Sequence, residues 1–256
     1  MTTACELLFH TWERGEHIAD LPDPIRPSSR TDGYAIQALW PAQVGQRIAG
    51  WKIAATSVAG QRHIGVSGPL AGPIFEHRLH ADGAEVPLTG NLMRVVECEV
   101  VFRFARALAP RASAYARAEV LDAVEAVLPG FEVPDSRFQA FERAGEAQLI
   151  ADCACMNRML LGAPIAADAR MQALKDLRVV ARVSDGRDLH GVGANVLGDP
   201  VDALVWLVNE LAAHGRTLEA GQFVTTGACV APIPVVPGDA VRADFGWLGT
   251  LAIRFA

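Results

Sequence analysis

The sequence predicts an α+β fold built around a mainly antiparallel sheet. Helical and strand-like segments interleave without strict βαβ alternation, Val95–Phe104 alternates with period two, and the stretch from Gln222 onward is strand-rich. The 256 residues are 51% hydrophobic and 20% charged, which describes a globular chain with a core large enough to need no disulfides. A formal net charge of −6 argues against broad nucleic-acid binding. No apolar run approaches the roughly 18 residues of a membrane helix, and no basic region followed by an apolar run marks a secretion signal. Five cysteines, an odd number without a CxxC pair, suit reduced thiols. The expectation is a cytoplasmic protein without nucleic-acid or membrane partners.

The first 45 residues read as a helical segment packed on the rest: a helix over Ala4–His17, the proline-rich Leu21–Pro27, then a helix capped by Thr31 or Asp32 and stopped by Pro41. From Gly50 to Pro87 glycines and prolines punctuate short extended pieces such as Trp51–Ala54. Val95–Phe104 is the clearest strand, with one wholly apolar face and one bearing Glu97 and Glu99. The stripe Val120, Leu121, Val124, Val127 and Leu128 predicts a helix over Ala116–Leu128, ended by Pro129-Gly130. Phe131–Val133 is extended, Asp135 or Ser136 caps a further helix, and another spans Ala147–Leu161. Leu177–Val183 and Leu189–Ala194 form a hairpin across Asp185-Gly186. Asp199-Pro200 opens a helix closed by Gly215. Strands at Gln222–Thr226, Val241–Phe245 and Thr250–Phe255 complete the chain. Without repeats or a separating linker, residues 1–256 read as one domain.

The chemistry-bearing candidates are few. Phosphate-loop, HExxH, GxSxG and strand-placed GxGxxG motifs are absent. His77 and His80 have a ligand-like spacing that more often belongs to two solvent-facing side chains. Glu97 and Glu99, two apart on a strand, sit on one face about 6.5–7 Å apart. Their repulsion is relieved by water, by a neighbouring arginine such as Arg94 or Arg103, or by a shared cation; Mg²⁺ or Mn²⁺ suits carboxylate donors. Glu132, in the apolar Pro-Gly-Phe-Glu-Val-Pro stretch, can complete a three-carboxylate face or be a loop acid. Lys52 is one of only two lysines. In an apolar strand it either snorkels or, beside a metal, pairs with a substrate carboxylate, steadies an enolate or shuttles a proton.

These residues, in this order, resemble the 2-keto-4-pentenoate hydratase and 4-oxalocrotonate decarboxylase family of the fumarylacetoacetate hydrolase superfamily. The resemblance rests on Gly50-Trp-Lys-Ile-Ala-Ala-Thr-Ser57, Gln61–Val66, Val96-Glu-Cys-Glu-Val100, Leu128-Pro-Gly-Phe-Glu-Val133 and Ile150-Ala-Asp152. It continues through Val196-Leu-Gly-Asp-Pro200, Ala203–Asn209, Ala220-Gly221, Thr226-Gly-Ala228, Val236-Pro-Gly-Asp239 and Leu248-Gly249, so that it covers the chain from about Asp32 onward. It implies a mixed β-roll of the fumarylacetoacetase C-terminal type with flanking helices, in homo-oligomers, with Mg²⁺ or Mn²⁺ on Glu97, Glu99 and Glu132. It also implies a catalytic Lys52 and ligand contacts at Ile64, Gly65, Thr226 and Gly227. The activity implied is addition of water to a 2-hydroxy-2,4-dienoate in the catabolism of aromatic or related compounds, with a decarboxylase as a partner enzyme.

Two positions depart from the family pattern. Where its hydratases carry Pro-Asp, this chain has Pro69-Leu70, and the Asp-Asn-Ala-Ser-Ser segment reads Asp152-Cys-Ala-Cys-Met156, which puts Cys155 where a ligand-facing hydroxyl is expected. Cys153 and Cys155 are expected to be packed thiols. Two alternatives keep the metal and the 2-oxo acid: decarboxylation of a 4-oxalocrotonate-like diacid, or hydrolysis of an acylpyruvate C–C bond with Glu76-His77 as the water-activating pair. A third is a catalytically weak homologue that binds a 2-oxo acid or a partner enzyme.

Overall fold

The structure is a computed structural model that describes residues Met1–Ala256. In chain order it runs α1 (Thr2–Glu13), α2 (Arg30–Gln37), α3 (Trp40–Val44), β1 (Ile48–Ala54), α4 (Val58–His63), β2 (Leu70–Phe75), β3 (Leu79–Ala81), β4 (Glu85–Val86), β5 (Val95–Phe104), α5 (Arg117–Leu121), β6 (Val124–Val133) and α6 (Glu146–Ala151). It continues with β7 (Arg158–Leu161), β8 (Ile165–Ala166), β9 (Arg178–Val183), β10 (Asp188–Val192), α7 (Pro200–Ala213), β11 (Phe223–Ala228), β12 (Ile233–Pro234), β13 (Ala240–Asp244) and β14 (Thr250–Phe255). The α+β class is as the sequence predicts.

The larger sheet has the order β2-β1-β11-β5-β6-β7-β3, with β12 beside β5 and β8 beside β6. The smaller sheet runs β10-β9-β13-β14-β4. Most ladders are antiparallel; β1 with β11, β3 with β7 and β14 with β4 are parallel. One cluster of 69 buried hydrophobic residues runs through both sheets and takes in Ala4, Cys5, Leu8 and Trp12 of α1. No helix is long and apolar enough to cross a membrane.

Several local expectations are corrected. The helix over Ala116–Leu128 is only the five-residue α5, and from Val124 the chain is the central strand β6. A helical stripe and a strand buried on both faces look alike over so short an apolar run, and pairing with β5 decides the matter. Pro129-Gly130 therefore lies inside a strand. Pro129, which has no N–H for a ladder, falls where β6 changes its outer partner from β7 (Gly130↔Leu161) to β8 (Val127↔Ile165).

The helix over Ala147–Leu161 ends at Ala151, and Arg158–Leu161 is β7. Between them Cys153, Ala154 and Cys155 all take left-handed backbone angles (φ +53°, +53° and +61°). Asp135 and Ser136 cap no helix: Asp135 accepts from the Leu92 N–H (2.8 Å), and the Ser136 hydroxyl donates to Asp152 (2.8 Å). Ser29, not Thr31 or Asp32, caps α2, and Pro41 sits in the first turn of α3 instead of stopping α2.

The small sheet meets the large one at Gly191 of β10, where a Cβ would stand 2.0 Å from the Cys229 carbonyl oxygen. Gly191→Ala is expected to destabilise the fold by about 1–3 kcal/mol through overpacking. Thermal unfolding checks it, at about 2–4 °C of Tm per kcal/mol for a chain of this size.

Candidate metal centre

Four adjacent strands, β1, β11, β5 and β6, build the site. Glu97 and Glu99 follow the period-two face of β5. Register then places Glu132 of β6 directly across from Glu97, so the two carboxylates share a face. Lys52 of β1 pairs with Thr225 of β11, which pairs with Val101 of β5. One side-chain oxygen from each of Glu97, Glu99 and Glu132 lies within 4.8 Å of the others. At that spacing two full charges repel by about 3–4 kcal/mol for an effective dielectric of about 20.

The surroundings answer this repulsion only in part. Glu99 (0% exposed), Glu132 (2%) and Lys52 (3%) are buried, while Glu97 keeps part of its surface in solvent. Glu99 Oε2 accepts from the Thr225 hydroxyl and from the Gly227 N–H (2.7 Å). Lys52 Nζ touches Glu132 Oε1 at 2.9 Å, but its aligned hydrogen bond goes to the Ala154 carbonyl at 2.6 Å. Glu99 Oε1 and Glu132 Oε2 have no hydrogen-bond donor although they are buried, and Glu132 Oε1 has only the ion pair with Lys52. Buried oxygens without donors are costly. Three carboxylates converging on one spot with such oxygens match the donor set of a hard divalent cation, so the residues present fit the Mg²⁺ or Mn²⁺ that the resemblance implies.

Without a cation the acids resist ionising. Burial, and then the charge of Glu132, push the Glu97 carboxyl up to about 7. Burial, and then Glu132 and Glu97, raise Glu99 well above the usual carboxylate range. Burial also raises Glu132, against the opposing charge of Lys52. Burial by itself pulls the Lys52 ammonium down, but its acidic neighbours, Glu132 foremost, more than reverse this and hold the amine protonated.

The other candidate residues are placed as follows. Thr226 and Gly227 form the irregularity of β11 between Thr225 and Ala228. The Thr226 hydroxyl donates to the Val100 carbonyl (2.9 Å), so the Gly227 N–H and the Thr225 hydroxyl are the groups that face Glu99. Gly227 has φ +105°, and a Cβ there would stand 2.1 Å from Thr56 Oγ1, so only glycine fits. Ile64 closes α4 and Gly65 follows with φ +64°. Their loop is fastened by Ser67, whose N–H and hydroxyl reach Glu146 at 3.1 and 2.9 Å, and by Arg30, which reaches the Pro69 carbonyl at 3.0 Å. No hydrogen bond joins Ile64 or Gly65 to the carboxylates.

Cys153 and Cys155 are buried, as are all five thiols. Burial, and then the charge of Asp152, push the Cys155 thiol up to about 12, so it stays neutral. Leu70 opens β2 fully buried. Glu76 and His77 do not pair: Glu76 meets Arg47 at 3.4 Å, while His77 Nε2 accepts from Arg78 at 3.1 Å. His80 lies against Arg158 at 3.4 Å and joins no ligand set with His77.

Sequence reasoning passed over Thr225, Ala154 and Arg137. The period-two face shared with Glu99 was a usable signal for Thr225; nothing local marks the other two. Ala154 offers a backbone carbonyl. Arg137 is buried (1% exposed) against Asp152 (0%) and donates through its N–H to Asp152 Oδ2 (3.1 Å) and through its guanidinium to Asp152 Oδ1, the Asp152 carbonyl and the Met156 carbonyl (2.7 Å). Left-handed backbone costs about 1–2 kcal/mol for each non-glycine residue, and these bonds brace the Cys153–Cys155 tract against it.

Fold and site together define a class: an α+β protein whose sheet converges three carboxylates, two of them buried, beside a buried lysine, a donor set that fits a hard divalent cation. Residues 75–256 match the fumarylacetoacetate (FAA) hydrolase C-terminal family, and the chain belongs to that family. It is similar to the 2-keto-4-pentenoate hydratase of Paraburkholderia xenovorans (strain LB400), at 30% identity over 98% of this chain and 93% of the relative. It is also similar to the 4-oxalocrotonate decarboxylase of Pseudomonas sp. (strain CF600), at 31% identity over 82% of this chain and 78% of that one. Among solved structures it resembles the 4-oxalocrotonate decarboxylase of Pseudomonas putida G7 complexed with magnesium and adipate, with a TM-score of 0.87 and 27% identity over 99% of this chain and 97% of that one. The β-roll expectation is thereby met.

The pH dependence follows from the raised carboxyls. A group whose folded pKa lies above its unfolded value contributes stability that is full below the unfolded value, here 4.5 for Glu97, and is lost as pH rises through about 7. Metal-free protein is therefore expected to lose Tm between about pH 5 and 8, and Glu97→Gln, which cannot ionise, is expected to flatten that decline. Calorimetry in a chelating buffer reads both.

Proposed function

We propose that this single-domain protein is a hydro-lyase that adds water to a 2-hydroxy-2,4-dienoate of the 2-keto-4-pentenoate type, in the breakdown of aromatic or related compounds in the cytoplasm. The observation that carries the reading is the trio Glu97, Glu99 and Glu132, with buried oxygens that lack donors, set beside the protonated Lys52. These three acids would hold Mg²⁺ or Mn²⁺. When bound, such an ion supplies Lewis-acid stabilisation to the enolate of a 2-oxo acid. The magnesium complex of the Pseudomonas putida G7 decarboxylase and the two named relatives support the cation and the substrate class.

The chain's own groups supply the rest. Lys52 has three donors; the Ala154 carbonyl takes one, Glu132 is in contact with a second, and the third is left for the carboxylate of the substrate. Thr225 and Gly227 hold Glu99 still, so that its free oxygen faces the other acids. Glu99, Glu132 and Lys52 are shut away from water while Glu97 keeps part of its surface in solvent, so the ligand would enter from the Glu97 side. Cys155 next to Ala154, together with the Ile64-Gly65 loop, would line the ligand. The protein would act as a homo-oligomer, alone or beside a decarboxylase.

One observation favours a second reading. Leu70 is buried at the start of β2, where the family's hydratases carry an aspartate, so a proton carrier is missing and decarboxylation of a 4-oxalocrotonate-like diacid gains weight. Acylpyruvate hydrolysis is disfavoured because Glu76 and His77 are turned to separate partners.

The absorbance of a 2-hydroxydienoate, followed with and without Mg²⁺ and with products weighed by mass spectrometry, is expected to show magnesium-dependent gain of one water. Loss of CO₂ would select the second reading, and binding without turnover would demote the chain to a ligand-binding homologue. Glu97→Ala is expected to abolish magnesium binding in calorimetry with the fold intact. Lys52→Met is expected to lower kcat by about 10²–10⁴-fold with magnesium affinity retained; unchanged turnover would remove Lys52 from the mechanism.

A further inference from the structure

We propose that Arg137 is a positioning residue: it clamps the left-handed Cys153–Cys155 tract so that the Ala154 carbonyl aims the Lys52 ammonium. The inference rests on the reading of Lys52 given above but concerns what holds the amine in place. The Ala154 carbonyl, 2.6 Å from Lys52 Nζ, is the one aligned acceptor of that ammonium. It sits in the middle of three consecutive non-glycine residues with positive φ, a run that short-range preferences oppose. Something outside the tract must fix it.

Arg137 is placed to do so. Through Asp152 and its carbonyl it grips the residue before the tract, and through the Met156 carbonyl the residue after it. The Asp135 N–H adds a bond to the Cys155 carbonyl at 2.9 Å. Asp135 and Arg137 follow Glu132 within five residues on the same run of chain, so the segment that delivers one acid also braces the support of the lysine. On the far side the tract lies directly on the sheet: Gly72 pairs with Lys52 in register, and a Cβ at Gly72 would stand 2.1 Å from the Cys153 carbonyl oxygen. The tract is thus wedged between the Arg137 clamp and the strand pair that carries Lys52. Strain held at a site by surrounding bonds is a recurrent form of preorganisation.

The chain offers a direct readout, because Lys52 and Lys175 are its only lysines and Lys175 is exposed. Mass spectrometry after treatment with an amine-acylating reagent reports the labelling of Lys52 against Lys175 as an internal standard. In Arg137→Gln, Lys52 is expected to label at least fivefold faster relative to Lys175, and kcat to fall at least tenfold and KM to rise while magnesium affinity changes little. Asp152→Asn, which keeps the shape and removes one charge, is expected to move both readouts the same way by less, and serves if Arg137→Gln does not fold. Adding Ala154→Gly to Arg137→Gln is expected to restore part of the protection and of kcat, since glycine takes positive φ freely; both are read well below the Tm of each variant, where a loss of global stability alone moves neither. Unchanged Lys52 labelling and kcat in folded Arg137→Gln or Asp152→Asn, or no recovery in the double variant, would overturn the proposal. Should labelling respond while Lys52→Met turns over normally, the positioning inference stands and the catalytic reading of Lys52 fails.

Discussion

The structure turns on one electrostatic problem: three carboxylates, two of them shut away from water, brought within 4.8 Å of one another in a sheet interior. Nothing in the packing requires acids there. The side chains next to them on these strands are apolar, and hydrophobic side chains would fill the space without repulsion. Partial answers surround them, in Thr225 and Gly227 on Glu99 and Lys52 against Glu132, but Glu99 Oε1 and Glu132 Oε2 are left without donors. Such an arrangement is stable only when protons or a cation supply the missing positive charge. Near neutral pH a divalent cation would do so without giving up the carboxylate charges.

Much of the scaffold serves this convergence. Period-two alternation on β5 aims two acids one way, antiparallel register with β6 adds the third, and the irregularity in β11 turns the Gly227 N–H onto Glu99. Lys52 arrives from β1 by parallel pairing with β11. A single layer of four strands thus carries acids, amine and backbone donor, and the remaining helices and the smaller sheet bury its surroundings.

The sequence showed the acids well and their support poorly, for a physical reason. Glu97 and Glu99 were legible because strand geometry is local, and Lys52 stood out because lysine is scarce in this chain. Glu132 was legible as an out-of-place charge, though its partner across the sheet is a matter of register. The segment from Val124 to Leu161 was misread twice. Its apolar spacing fits a helix as well as a doubly buried strand, and the left-handed tract at Cys153–Cys155 depends on Arg137, sixteen residues from the start of that tract and invisible to any short window. Thr226, expected with Gly227 as a ligand contact, spends its hydroxyl on the sheet backbone, and the hydroxyl that meets Glu99 is that of Thr225 one residue earlier. Leu70 is the departure with consequences for the proposed chemistry: the chain is similar to a hydratase and to a decarboxylase alike, and this buried apolar side chain stands where the resemblance expects an aspartate.

The central claim is that Glu97, Glu99 and Glu132 share one divalent ion. Diffraction from crystals grown with Mn²⁺, with data collected at the manganese absorption edge, tests it most directly. The account expects a single strong anomalous peak in contact with an oxygen of each of the three carboxylates. Three carboxylates turned away from one another with no peak between them, or a peak bound only elsewhere on the molecule, would contradict it.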